Sequence, residues 1–329
     1  MTSVSPYKKR RELAVIGVET TRGTAPTKKF VFPWMDKNVR SIPSIIENES
    51  ALGSDVRVND SAIDLGSAEG PLGGKVNEEN LGVLLHGMFP KVTTVSNGDG
   101  TYTHTFERDP SVARKTLSLW DVRPVSTRLF KSLYLDNLNL NLEVGDSGAW
   151  LQCSTSVKGW MHEDVSSFTP PALPTGLLEF TSRMVKVLLA DNVAGLTNEA
   201  TAKVKPRSIE IALEESVTVD HYVGETAGDP EFDSAPAEAK GSMVVKYRKT
   251  DYEQDYFLNK VHAMSIIAQN GDAKVEIIGT KVRFRELTDS DGRDDTVSQT
   301  ISFFFEADEL NGGKDVVVKV TNKVASYTS

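Results

Sequence analysis

The side chains that most often do chemistry are few here and scattered. Five histidines (His86, His104, His162, His221 and His262) lie far apart, none at an i, i+2 or i, i+4 spacing, and no cysteine cluster completes a zinc site. The single cysteine, Cys153, sits mid-strand on the apolar register of its segment and lacks the local signature of a nucleophile, so it reads as a buried, inert thiol. The run Asp289, Asp291, Gly292, Asp294 and Asp295 has the carboxylate density of a calcium loop but lacks its third spaced ligand and distal glutamate; it reads as a solvated hairpin tip. GPLGGKV ends in Lys75 and Val76 with no Ser or Thr to reach magnesium and no helix opening at the lysine, unlike a phosphate loop. Acidic pairs such as Glu47 with Glu49, or Glu214 with Glu215, are what a carboxylate-rich chain produces by chance, on solvated faces. These residues predict no catalytic centre, no metal and no cofactor.

The elements around them are mostly strands. Ile42 to Ser50, Asp55 to Ile63 and Leu72 to Val76 read as short strands bounded by Gly, Pro or Asn. A helix is predicted from Glu78 to Phe89: Asn77 supplies a cap, Leu81, Leu84, Leu85 and Met88 form one apolar stripe, and Pro90 stops it. Asn97 to Gly100 makes a tight turn before the alternating Tyr102, His104 and Phe106. From Leu138 the alternation is strict, with Leu138, Leu140, Leu142 and Val144 on one face and Asn139, Asn141 and Glu143 on the other. Asp136 and Asn137 mark a bulge before it. The returning strand puts Leu151, Cys153, Thr155 and Val157 inward, and Gln152, Ser154, Ser156 and Lys158 outward. SSFTPPALPTG, whose prolines deny backbone donors, reads as a linker at 166–176. Beyond it, Met184 to Leu189 and Ser208 to Tyr222 read as strands, Gly224 to Glu238 as a long acidic loop and Asp251 to Met264 as a second helix. A last hairpin pairs Val282 and Phe284 with Val297, Ile301, Phe303 and Phe305, and Val316 to Val320 forms a terminal strand.

Each half runs Gly, short strand, acidic helix start, apolar helix face and then a polar hairpin, once from Gly73 and again from Lys240, which points to a duplication. The chain then divides into an N-terminal arm (1–29), a first domain (30–165), the linker (166–176) and a second domain (177–329). With 329 residues, 39% hydrophobic and 25% charged, there is sequence enough for two globular cores. No apolar run approaches membrane-spanning length, and the Leu13 to Val18 segment behind Lys8, Lys9, Arg10 and Arg11 is too brief for a secretory core, which predicts a soluble chain with an arm. A formal charge of −9 opposes a surface that grips nucleic acid.

ETTRGTAP (Glu19 to Pro26), SIPSIIENESALGSDVRV, GPLGGKVNEENLGVLLHGMF, GTYTHTF and SLYLDNLNLNLEV, in this order, resemble the tail tube proteins of long-tailed bacteriophages, the branch of major tail proteins typical of siphophages. The resemblance spans most of the chain. It implies a mainly β fold of two tandem antiparallel sandwich or barrel domains, each flanked by one short helix. It also implies self-assembly into stacked rings around a lumen through which DNA passes, with a tape measure protein and tail terminator or tip proteins as partners, in a virion assembled in the host cytoplasm. Duplication favours trimeric rings with pseudo-sixfold symmetry; without it, six chains per ring is the family expectation. A smooth conduit suits small polar or acidic side chains, so the lumen candidates are Asn139, Asn141, Glu143, Gln152, Ser154 and Ser156, with Thr296, Ser298 and Thr300 in the second half. There Lys281, Arg283 and Arg285 stand against the pattern, and either pair with acids or face the next subunit. The candidates for contacts between rings or subunits are Lys8, Arg10, Arg11, Glu49, Asp55, Arg57, Glu225, Asp229, Glu231 and Asp233. The competing class is a carbohydrate- or receptor-binding β-sandwich on a virion or cell surface, which requires Trp34, Trp120, Trp150 and Trp160 to cluster on one face; an enzyme ranks third.

Overall fold

The computed structural model describes residues 6–50, 53, 55–145, 147–224, 229–247, 251–290 and 296–328. In chain order the strands are β1 (Leu13–Val18), β2 (Phe30–Phe32), β3 (Trp34–Lys37), β4 (Arg40–Asn48) and β5 (Asp60–Lys75), followed by helix α1 (Asn80–Met88). Then come β6 (Lys91–Ser96), β7 (Tyr102–Glu107), β8 (Leu117–Val122), β9 (Thr127–Leu135), β10 (Asn137–Glu143), β11 (Gln152–Gly159) and β12 (Glu163–Val165). The second half holds β13 (Val185–Ala190), α2 (Glu199–Ala202), β14 (Lys203–Val204), β15 (Ser208–Glu214), β16 (Val217–Asp220), β17 (Glu231–Ser234) and β18 (Glu238–Lys246). It closes with α3 (Asp251–Phe257), β19 (His262–Asn270), β20 (Ala273–Asp289), β21 (Ser298–Phe305) and β22 (Val317–Asn322). The fold is mainly β with short helices, and every pairing between these strands is antiparallel. They do not close into a barrel.

The two halves repeat one topology. In the first, β1–β8–β9–β12 forms one sheet, while β3 and β4 pair with β5, β5 with β11 and β11 with β10. In the second, β13–β19–β20–β22 matches the former run and β15–β18–β21–β20 the latter, because β20 serves β19 and β22 with its first part and β21 with its second. Two junctions join the halves: β10 pairs with β15, and β7 adds to the edge at β22. The main core cluster draws on both halves, from Ala14 and Leu81 to Phe303 and Val320.

The alternation of Leu138, Leu140 and Leu142 becomes the buried face of β10, and Leu151, Cys153, Thr155 and Val157 the buried face along β11. His104 and Phe106 alternate inward on β7 as their spacing predicts. Other elements differ from the sequence reading. Leu13–Val18 is no arm but strand β1, with Ala14, Val15, Ile16 and Val18 at most 1% exposed. Asp60 to Lys75 forms one long strand in place of two short ones, and residues 55–59 lie outside it. Helix α1 is buried on every side rather than on one face, since β1, β2, β7, β9 and β10 all touch it. Asn77 Oδ1 caps its start, accepting from the backbone of Glu79 and Asn80 at 3.0 and 2.9 Å. The second helix stops at Phe257, well short of Met264: Asn259 takes a left-handed φ of 49°, and the apolar run from His262 continues as β19. Ser208 to Tyr222 splits into β15 and β16, and the acidic loop contains β17, paired with β16. Val297 is exposed and precedes β21; the core pairs are Val282 with Phe305, Phe284 with Phe303 and Leu287 with Ile301.

Two buried polar networks tie the first half together. Lys37 lies 2.9 Å from Glu12 and also pairs with Asp121, all three being nearly inaccessible, and Arg123 reaches Asp121 at 2.6 Å. Glu19 is 1% exposed and accepts from Gly23 N (2.8 Å), Thr116 Oγ1 (2.6 Å), Ser118 Oγ (2.6 Å) and Ser132 N (2.9 Å).

Burial holds the His86 imidazole down to about 3, with Lys115 and His104 adding to the effect, and burial also lowers His104 and His262. His86 stays neutral in the fold while the unfolded chain takes up its proton below about 6.5. Stability therefore falls as pH drops from about 6.5 toward about 3. His86 alone removes about 2 kcal/mol between pH 7 and pH 5. Denaturation midpoints at the two values check this, and His86→Asn flattens the difference; a pH-independent midpoint in the unsubstituted chain contradicts it.

Candidate functional site

The second run of strands in each half joins, through β10 and β15, into one sheet whose outer face is polar. Side chains facing outward from β10 and β11 stand directly opposite one another: Asn139 against Ser154 and Asn141 against Gln152. On the β11 side, Ser154 faces Gly73 and Gln152 faces Lys75 of β5. On the other, Asn139 faces Ala212, Asn141 faces Glu210 and Glu143 faces Ser208 of β15. The row crosses β18, where Glu210 meets Ser242. It then reaches β21 and β20, where Ser242 meets Ser302 and Thr300 meets Thr288. Asn141, Glu143, Gln152, Ser154 and Thr300 are exposed, and Asn139, Ser156 and Ser298 half-buried.

The structure thus gathers Asn139, Asn141, Glu143, Gln152, Ser154 and Ser156 into one patch and sets Ser298 and Thr300 farther along the same face, while Thr296 lies exposed just before β21. Gly73, Ser208, Glu210 and Ser242 belong to the face and were missed. The alternation of SIEIALE, whose Ile209, Ile211 and Leu213 are buried, carried the signal for two of them. Lys281, Arg283 and Arg285 do not stand opposite Thr296, Ser298 and Thr300. Arg283 faces Phe304, and beyond a bulge between Phe284 and Glu286 Thr300 faces Thr288. All three cations converge on Glu306, Lys281 at 3.5 Å and Arg285 at 2.7 Å.

The same neutralisation recurs across the face. Lys240 lies 2.6 Å from Glu214 and 3.7 Å from Glu238, and the hydrogen bond to Glu214 holds its ammonium above the usual lysine range. Lys75 pairs with Glu179 at 3.2 Å and Lys158 with Asp136 at 3.1 Å. Among the described residues Glu143 and Glu210 form no ion pair. Lys246, exposed on the same face, is in no ion pair among the described residues, but the other cations named are matched by carboxylates and acids remain to spare, so a polyanion meets no counterion-releasing row.

The remaining candidates lie apart. Lys8, Arg10 and Arg11 are exposed ahead of β1, and Asp55, Glu49 and Arg57 sit at the tip of the ribbon formed by β4 and β5, where Arg57 reaches Glu49 at 2.8 Å. Asp229 and Asp233 are exposed on the ribbon of β16 and β17, Asp233 hydrogen-bonded to Asp220. Glu231 is taken up within the chain, paired with Arg22. Glu225 lies outside the described residues. Arg22 also donates to Pro230 O at 2.8 Å and sits over the rings of Tyr134, Trp160 and Phe232 at 5.9, 5.6 and 5.5 Å, so the ribbon of the second half is clamped onto the first.

Nothing described converges as catalytic machinery does. Burial pushes the Cys153 thiol up to about 12, which leaves it protonated and unreactive. A cleft of about 770 Å³ beside α3 holds His262 3.4 Å from Asp255, an acid–base pair without a nucleophile at its side. Among the described residues no group of His, Cys, Asp and Glu is arranged to hold a metal ion, and no helix is long and apolar enough to cross a membrane.

The repeated β topology carries one wide polar sheet face, an extended surface rather than a pocket. A model of the phage tail tube protein family matches residues 10–304, and the chain belongs to that family. No curated protein matches it.

Proposed function

We propose that the chain polymerises into stacked rings that form the hollow tail tube of a long-tailed phage, the conduit for DNA ejection. The observation that carries this is the continuous, predominantly polar face from β5 to β20, across which Lys75, Lys158, Lys240, Lys281, Arg283 and Arg285 are matched by carboxylates. Asn139, Asn141, Glu143, Gln152, Ser154, Ser156, Ser298 and Thr300 line the lumen, with Thr296 at its margin, and DNA passes without specific binding. The first half, with β1 included and running to residue 165, and residues 177–329 act as two tube units linked by 166–176, so three chains close a pseudo-sixfold ring; six chains per ring is the alternative. Ring-to-ring contacts use Lys8, Arg10 and Arg11, the ribbon tip with Glu49, Asp55 and Arg57, and the segment holding Glu225, Asp229 and Asp233. A tape measure protein and terminator or tip proteins set the length, because stacking does not close on itself. Assembly takes place in the host cytoplasm.

Negative-stain microscopy with mass photometry on the concentrated protein tests the reading. Hollow rings or tubes are expected, with a three-chain mass for each ring. A monomer that persists at every concentration overturns it. Asn141→Arg with Ser154→Arg leaves protomer stability within about 0.5 kcal/mol, as exposed positions do. Tubes of the double variant retain a short DNA oligomer at low salt and release it at high salt, whereas the unsubstituted tubes retain none; equal retention by both argues against this face as the lumen.

A further inference from the structure

The ring leaves open which surfaces of neighbouring copies meet, and the chain contains its own template for that contact. We infer that the junction between β10 and β15 inside one chain is repeated between chains, with the second part of β20 of one copy pairing antiparallel to β4 of the next. The inference rests on the ring reading above.

The correspondence between halves fixes the register. Lys75 opposite Gln152 leads into α1 as Lys246 opposite Ser298 leads into α3. Counting from these pairs, Ser154 matches Thr300, so Asn139, which faces Ser154, matches Thr288, which faces Thr300. On the other edge Lys240 matches Glu69, so Ala212, which faces Lys240, matches Arg40, which faces Glu69. Within the chain Asn139 stands opposite Ala212 and Asn137 opposite Glu214. The repeated junction therefore places Thr288 opposite Arg40 of the next copy and Glu286 opposite its Ile42.

Both edges are open to receive it. Among the described residues β4 pairs only with β5, and from Phe284 onward β20 pairs only with β21. An unpaired edge is a template for another strand. Charge agrees with the register: Arg40 is exposed and in no ion pair among the described residues, and it would lie diagonally across from Glu286 on the same face.

A second contact follows from the same repeat. The β16–β17 ribbon, which continues β15 and β18, lies across the first half with Phe232 5.2 Å from Tyr134 and Pro230 O accepting from Trp160 Nε1 at 3.1 Å. Its counterpart, the outer part of β4 and β5, pairs with no further strand among the described residues and exposes Ile45 (61%), Ile46 (52%) and Ile63 (61%). Laid across the second half of the neighbouring copy as β16–β17 lies across the first, it gives these side chains their cover.

Opposed residues of an antiparallel pair have Cα atoms about 4.5 to 5.5 Å apart, within disulfide reach. Full-length Arg40→Cys with Thr288→Cys is concentrated and mildly oxidised, with rings counted by microscopy in the same sample. The expected result on a non-reducing gel is a shift from monomer to a ladder that ends at the copy number of one ring. Mixing the two single variants gives dimers only. Arg40→Cys with Asp289→Cys, whose Asp289 side chain points to the other face of β20, stays monomeric. Rings without the ladder overturn this junction and leave the tube reading standing; neither rings nor ladder overturns both.

Discussion

Glu19→Ala is expected to lower protomer stability by about 4 kcal/mol, because the carboxylate is the shared acceptor for three buried donors and one half-buried one. Gly23 N and Ser132 N are backbone groups that cannot turn elsewhere. Ser132 is inaccessible and held at a left-handed φ of 52°, a conformation that costs a non-glycine residue energy and needs such an anchor. Loss of the anchor also loosens the loop that carries Gly23 and Arg22. Trp160 packs so closely over Gly23 that an added methyl would lie 2.4 Å from its ring. The clamp on the β16–β17 ribbon then weakens together with the core. Urea unfolding of the unassembled protomer measures the first effect, and Trp160 fluorescence below the transition the second. Glu19→Gln, which keeps the shape but brings its own donors into a donor-rich site, recovers only part of the loss; a loss below about 1 kcal/mol for Glu19→Ala refutes the account.

Tyr327→Ala is expected to cost about 3 to 5 kcal/mol, the range for removing a buried aromatic ring. The ring is 1% exposed, with centroids 5.5 Å from Phe30, 5.4 Å from His86 and 4.8 Å from His104. It fills the space left by Gly82 of α1, where a methyl group would lie 2.0 Å from its Cζ. Its hydroxyl accepts from Asn322 Nδ2 at 2.5 Å, so Tyr327→Phe loses about 1 kcal/mol. The two substitutions separate packing from hydrogen bonding. Tyr327→Ala also admits water beside His86, which raises the depressed His86 pKa and reduces the fall in stability between pH 7 and pH 5. A Tyr327→Ala chain that unfolds at the unsubstituted midpoint, with an unchanged pH profile, contradicts the packing argument.

What was legible depended on distance along the chain. The faces of β10 and β11 were readable because alternation is a property of neighbouring residues: each Leu, Cys or Val one side, each Asn, Gln or Ser the other. The capped helix after Asn77 and the turn at Asn97 to Gly100 are local in the same sense. The β1 strand was misread because a short apolar segment behind four cations looks alike in an arm and in a core. The second helix was drawn too long because Tyr252 with Tyr256, and Phe257 with Val261, hold helical spacing, while the left-handed Asn259 that breaks it is visible only in the backbone. The pairing of β20 with β21 depended on the length of the connection between them, which sets Arg283 opposite Phe304 and brings three cations to Glu306, and a one-residue bulge at Arg285 then shifts the pairs from Glu286 onward.

By itself the sequence determined the strand-rich class, the polar character of the β10 and β11 faces, the scarcity of catalytic side chains and the order of motifs shared with tail tube proteins. These follow from side-chain chemistry and short-range spacing. Only the tertiary structure decided that β10 pairs with β15 to make the two polar faces one, that β7 completes a sheet begun in the other half, and that each exposed ribbon has a definite neighbour or lacks one. Those pairings join residues far apart in the chain through backbone hydrogen bonds that every residue but proline can make, so no side-chain pattern announces them.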